Sequence, residues 1–135
     1  MYSPAVITSG GNPVVAWSNY GTISIKQWNG NSWMDLGSLS LSSYYTLAMT
    51  TDSNGNPVIA SAIYNYNNGN SSYKIYVKRW NGASWLDAVK APLVINNYIY
   101  DLKIAIDSNG MPIVTWANYN NTSNPYSIYV KRWVQ

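Results

Sequence analysis

Side chains able to do chemistry are scarce in this chain. Its only carboxylates are Asp35, Asp52, Asp87, Asp101 and Asp107, and it contains no His, Cys or Glu. A Ser-His-Asp or Cys-His triad needs an imidazole base, and a structural zinc site needs His or Cys donors, so both are excluded. General acid–base work would fall to Asp, Lys or Tyr alone. Glycoside hydrolysis needs two carboxyl groups flanking one bond. Asp35 and Asp87 do not meet that need, because they stand at matching points of a repeat and not together in one pocket. The expectation is a protein with no catalytic residues, no metal and no cofactor.

Two oxygen-rich runs, Asp52-Ser53-Asn54-Gly55 and Asp107-Ser108-Asn109-Gly110, have the donors a calcium ion uses. They are too short for such a loop and lack a bidentate acid. They read instead as turns closed by their own Asp and Asn side chains. The runs Lys78-Arg79 and Lys131-Arg132 do not form a basic patch, since neighbours on a strand point to opposite faces. A net charge of +3, with 10% charged residues, is too little to neutralise a phosphate backbone. Nucleic acid is therefore not an expected partner. Apolar stretches are all too short to span a bilayer, and no leader or lipidation motif is present, so no membrane insertion is expected. Without Cys, the redox compartment stays open.

What the chain has in quantity is aromatic and amide side chains, including 13 Tyr and 7 Trp. A Tyr face stacks on the apolar side of a sugar ring while Asn amides bond its hydroxyls. Tyr, Asn and Ser are also the residues of adaptable recognition loops. Such residues cluster at Ser43-Tyr44-Tyr45, at Tyr64-Asn65-Tyr66-Asn67-Asn68-Gly69-Asn70, at Asn96-Asn97-Tyr98 and at Asn118-Tyr119-Asn120-Asn121-Thr122. The candidate ligand-binding set is Tyr44, Tyr45, Asn65, Tyr66, Asn97, Tyr98, Tyr119 and Asn120. Low-charge loop filler is the competing account of the same composition. Asn70, Asn120 and Asn121 open N-x-Ser/Thr triplets, which chance supplies in so Asn-rich a chain.

The elements that must position these residues come from a repeat. Ile75-Tyr76-Val77-Lys78-Arg79-Trp80 recurs as Ile128-Tyr129-Val130-Lys131-Arg132-Trp133, with a weaker copy at Ile23-Ser24-Ile25-Lys26-Gln27-Trp28. A period near 50 residues points to a propeller or solenoid. Copy one covers about 1–43, copy two about 44–97 and copy three about 98–135, all in one repeat domain. Each copy divides into four short strands, A to D, with turn signals between them. In copy two these are Thr46–Thr51, Val58–Ala62, Lys74–Trp80 and Ser84–Ala88, with Tyr64–Tyr73 read as a polar B–C connection. Copy three stops after strand C, giving eleven strands in all. The reading is an all-β, propeller-type array of about three four-stranded antiparallel blades, the last without its fourth strand. In it the A–B and C–D turns share one edge, short and nearly invariant. The B–C and D–A connections share the other, variable and rich in Tyr and Asn.

The pattern Asp-Ser-Asn-Gly-x-Pro, a Val/Ile-rich strand, then Val-Lys-Arg-Trp-Asn-Gly-x-Ser-Trp resembles the tandem repeats of bacterial β-propellers of the kelch-like and BNR-like kind. The likeness covers nearly the whole chain. The run Trp-Asn-Gly-x-x-Trp is also similar to that of the small oligomeric fucose-binding propeller lectins. That resemblance implies sugar sites built from an Arg on strand B and a Glu on strand C beside a Trp. Here the strand B positions hold Val15, Ile59 and Val114, and the strand C positions hold Ile25, Val77 and Val130. The fucose-binding pair is missing, so fucose specificity does not carry over.

Three blades do not close a ring, which takes about four to eight. Blade three also presents strand C, Tyr126 to Trp133, as an open apolar edge, a site for pairing with another chain. A homo-oligomer joining copy three of one chain to copy one of the next, around Ser3–Thr8, is expected. Three functions stay open: a carbohydrate-binding, lectin-like module; a self-assembling structural or surface subunit; and a piece of an enzyme-associated propeller. The first two place the protein outside the cell or at its surface.

Overall fold

The computed structural model describes residues 4–40, 46–119, 123 and 125–134. Among the described residues there are twelve strands and no helix. Blade one is a meander of β1 (Ala5–Ser9), β2 (Asn12–Asn19), β3 (Thr22–Trp28) and β4 (Trp33–Ser40). Blade two contains β5 (Thr46–Thr51), β6 (Pro57–Asn67), β7 (Asn70–Trp80), β8 (Trp85–Asp87) and β9 (Leu93–Ile95). Blade three is β10 (Ile99–Ile106), β11 (Pro112–Tyr119) and β12 (Tyr126–Arg132). All neighbouring strands are antiparallel. The array of blades, with the third lacking a fourth strand, matches the repeat-based expectation.

Two boundaries differ from it. Strand D of copy two, expected over Ser84–Ala88, is β8, Trp85–Asp87. A further strand, β9, also pairs with β7, so the strands number twelve and not eleven. Between them lies the segment Ala88-Val89-Lys90-Ala91-Pro92, where Pro92 has no N–H for a ladder. The second difference is larger. Tyr64–Tyr73 is not a loop: β6 and β7 continue through it in register to Asn67↔Asn70, joined by a two-residue turn. Asn68 (φ 50°) and Gly69 (φ 81°) both take positive φ, the signature of a turn whose twist matches its strands.

Burial follows from stacking. Strand alternation gives each blade two faces, and the middle blade has both covered. Val58, Ala60, Ala62, Ile75 and Val77 meet Ile99, Leu102, Val114 and Trp116 of blade three. On the other face Ile59 and Leu47, with Met49, Trp80 and Trp85, meet Val14, Ala16, Ile23, Ile25 and Leu36 of blade one. Hence β6 is buried at every residue from Pro57 to Ile63, whereas β2 and β11 are fully buried only at alternate positions. The outer faces stay uncovered. Ile128 and Val130, which match the fully buried Ile75 and Val77, are 72% and 64% exposed.

Hydrogen bonds cross both interfaces. Trp85 Nε1 donates to the Leu36 carbonyl at 2.8 Å, and the Ser9 hydroxyl donates to the Gly55 carbonyl. Arg79 Nη2 donates to the Gly110 carbonyl at 2.8 Å. The repeated Trp residues occupy matching places. Trp28 pairs with Trp33 at 5.5 Å and Trp80 with Trp85 at 5.4 Å between ring centroids. Trp133 follows β12, its N–H donating to the Pro112 carbonyl at 3.1 Å.

Candidate functional site

The short-turn edge is occupied with its own bonding. Asn29 Oδ1 accepts the N–H groups of Asn31 and Ser32 at 2.8 and 2.7 Å, and Asn81 Oδ1 accepts those of Ala83 and Ser84, both at 2.8 Å. Asp52 Oδ1 accepts from Asn54 and Asn56, and Asp107 Oδ1 from Asn109 and Met111. Asp107 Oδ2 takes Arg132 Nε and Nη2 at 2.9 and 2.8 Å. The Met111 N–H foremost, then the Arg132 guanidinium and the Asn109 N–H, hold the Asp107 carboxyl below its ordinary value, against an opposing push from desolvation. These oxygens are turn-closing groups, as the sequence suggests. Among the described residues no three acidic side chains gather where a metal ion could sit. Asp35 and Asp87 stand opposite Lys26 and Lys78 on the neighbouring strands, and in blade two Lys78 Nζ meets Asp87 Oδ1 at 2.6 Å.

The opposite edge is aromatic. Tyr64 and Tyr73 lie 5.3 Å apart, and Tyr73 lies 6.0 Å from Tyr98. Tyr126 lies 5.5 Å from Tyr119 and 6.1 Å from Tyr100. The Tyr119 N–H donates to the Tyr98 carbonyl at 3.3 Å, which joins the two groups across the start of blade three. Tyr73 is buried and anchors the row, whereas Tyr98, Tyr100, Tyr119 and Tyr126 are exposed. Tilted and edge-on contacts such as these fix the directions of the rings.

Of the candidate residues, Tyr98 and Tyr119 come together, with Asn97 exposed beside Tyr98. Asn65 and Tyr66 are not on a loop: they stand on β6 opposite Ser72 and Ser71, near the hairpin tip, and both are exposed. Tyr44, Tyr45 and Asn120 lie outside the described residues. Sequence reasoning leaves out Tyr73, read there as the end of a polar connection, and Tyr100 and Tyr126, which sit inside strands. Their shared edge shows only once the register Tyr119↔Tyr126 and the bulge between Tyr100 and Lys103, with Asp101 at φ 53°, are known.

The positions that would hold a fucose-binding Arg and Glu are apolar and do not meet. In blade two, Ile59 packs toward blade one and Val77 toward blade three.

No protein-family model matches this chain, and no curated protein sequence does. Among solved structures it is similar to a fucose lectin from Kordia zhangzhouensis in complex with methyl-fucoside. The TM-score is 0.51 and the identity 19%, over 95% of this chain and 91% of that one. At that identity the likeness concerns the fold, and a propeller-type stack of antiparallel blades is the architecture both share.

Proposed function

We propose that this protein is a non-catalytic, carbohydrate-binding, lectin-like propeller module that assembles with copies of itself. The observation that carries the reading is the tyrosine edge, where Tyr98, Tyr100, Tyr119 and Tyr126 are exposed and held by mutual ring contacts. Rings fixed in this way lose little conformational entropy when a sugar stacks on them. Asn97 lies next to this row, and Asn65 and Tyr66 extend from the hairpin of blade two, giving amide donors and acceptors for hydroxyl groups. The similar fold of a fucose lectin favours the same ligand class, though not the same sugar, because the residue pair expected for fucose is absent. The uncovered Ile128 and Val130 favour assembly, with blade three of one chain against blade one of the next. An extracellular or cell-surface location fits both properties.

A glycan array probed with the folded protein tests the reading. Binding is expected, and Tyr98→Ala or Tyr119→Ala should weaken it roughly tenfold or more without unfolding the chain. Tyr66→Ala should act in the same direction. A folded chain that binds no glycan would instead favour a structural subunit.

A further inference from the structure

The end of β12 lacks a partner that its counterparts have. In blade one Trp28 stands opposite Trp33 and Lys26 opposite Asp35. In blade two Trp80 stands opposite Trp85 and Lys78 opposite Asp87. Twice, then, the fourth strand brings a Trp-x-Asp triplet to the Lys-x-Trp triplet of the third. Blade three repeats the third-strand triplet as Lys131-Arg132-Trp133, but among the described residues β12 pairs with β11 alone. Its two recognition groups turn to each other: Lys131 Nζ lies over the Trp133 ring, 5.9 Å from the centroid. In blade two the matching ammonium meets Asp87 at 2.6 Å, and the matching indole packs on Trp85.

The space beside Trp133 has the form of an indole site. Trp85 does more than touch Trp80, since its Nε1 donates to the Leu36 carbonyl of the preceding blade at 2.8 Å. Leu36 is the third residue after Trp33, and Ala88 is the third after Trp85. The Ala88 carbonyl is therefore the matching acceptor position for a Trp laid against blade three. A cavity of about 510 Å³ lies there, walled by Ala88, Val89, Ala91, Met111 and Trp133 itself. Pockets for small molecules run roughly 300–1,000 Å³, so this one admits an indole. Trp133 packs on the blade-two cluster with Ala88 and Val89, as Trp80 packs on the blade-one cluster with Leu36.

We infer that the outer edge of β12 and this cavity bind, as a fourth strand, a Trp-x-Asp β-strand from a different polypeptide. Antiparallel backbone hydrogen bonds to β12 hold the strand. Its Trp enters the cavity beside Trp133, and its Asp draws Lys131 away from the ring. The occupant is not a second copy of this chain. The Trp-x-Asp strands of such a copy, β4 and β8, are already paired with β3 and β7, and lending one would open a blade. Its β1, Ala5-Val6-Ile7-Thr8-Ser9, has neither Trp nor Asp. The inference is independent of sugar binding. It uses an edge of blade three and not the outer face that carries Ile128 and Val130.

The test is a fluorescein-labelled peptide with the sequence of residues 82–89, Gly-Ala-Ser-Trp-Leu-Asp-Ala-Val, titrated into the intact chain and read by anisotropy. Saturable binding is expected, with amide NMR shifts centred on β12 and Ala88–Ala91. Trp85→Ala or Asp87→Lys in the peptide should weaken binding roughly tenfold or more. Lys131→Asp in the chain should weaken the unaltered peptide as much, and should restore binding of the peptide carrying Asp87→Lys. Lys131 is exposed, so this variant should fold; the two peptide substitutions decide the matter if it does not. The inference is overturned by a peptide that does not bind, that binds equally when scrambled, that shifts amides elsewhere, or that charge exchange does not rescue. A peptide that breaks up oligomers seen by light scattering would show a second copy on the edge, and would overturn the assignment to a different polypeptide.

Discussion

Asp107 links three parts of blade three with one carboxylate. One oxygen closes the turn before β11 through the Asn109 and Met111 amides, and the other holds Arg132 at the end of β12. Asp52 closes the corresponding turn of blade two, but its arginine is held less tightly, with Arg79 Nε 3.4 Å from Asp52 Oδ2. There Arg79 also reaches the Gly110 carbonyl of the next blade. Because the folded-state pKa of Asp107 is depressed, its contribution is fully present above the unfolded value near 3.8. It is lost as pH falls through the lower folded value. Asp107→Asn should therefore lower the thermal midpoint at neutral pH and flatten the acid limb of the midpoint-against-pH curve. An acid limb identical to that of the wild type would show that the carboxylate adds nothing beyond the amide's hydrogen bonds.

At the scale of the element, β6 and β2 carry similar sequences and opposite environments. Ile59 is sealed between blades one and two, whereas its counterpart Val15 lies on the outer face of blade one, half-buried. Ile59→Ala should cost about 2–5 kcal/mol, the range for deleting a sealed aliphatic side chain. Val15→Ala, measured in the same urea titrations, should cost less than half as much. Equal losses would mean that the outer face of blade one is also covered in solution. Much of this organisation is legible in the residues. The repeated strand C, the Asn-Gly hairpins and the Asp-Ser-Asn-Gly turns announce blades because each rests on a local rule of backbone conformation. The Tyr64–Tyr73 segment is not legible in that way. From Asn65 to Ser71 its strands are exposed, so no buried face imposes alternation there, and a run of Tyr, Asn and Ser looks the same whether paired or free. The strand β9 escapes for a similar reason: it pairs with β7 through only three residues, Tyr73 to Ile75. The site was half legible. Tyr98 and Tyr119 stand out as exposed aromatics beside amides, but their approach depends on a bulge at Asp101 that no sequence pattern signals.

For the whole molecule, the two outer faces differ in kind. The face of blade three offers aliphatic side chains, Ile128 and Val130, matching those that blades one and two bury against their followers. The face of blade one offers Val15, Trp17 and Trp28, at positions where blades two and three receive their predecessors. These faces complement one another and not themselves, so contact between chains would be head-to-tail. Val130→Asp should abolish association seen by light scattering while leaving each chain folded. A wild-type chain that stays monomeric at high concentration would refute the head-to-tail contact.

The double cover on the middle blade also governs how the molecule comes apart. In a linear stack each unit is stabilised by its neighbours, so an end unit has one coupling term and an interior unit has two. A solitary chain should fray from both ends inward, with the β6–β7 amides exchanging with solvent last and those of β1 and β12 first. Head-to-tail contact would give the end blades their missing coupling, and the gradient would flatten as protein concentration rises. Amide exchange at two concentrations would therefore report, strand by strand, whether this chain works alone or as a segment of something longer.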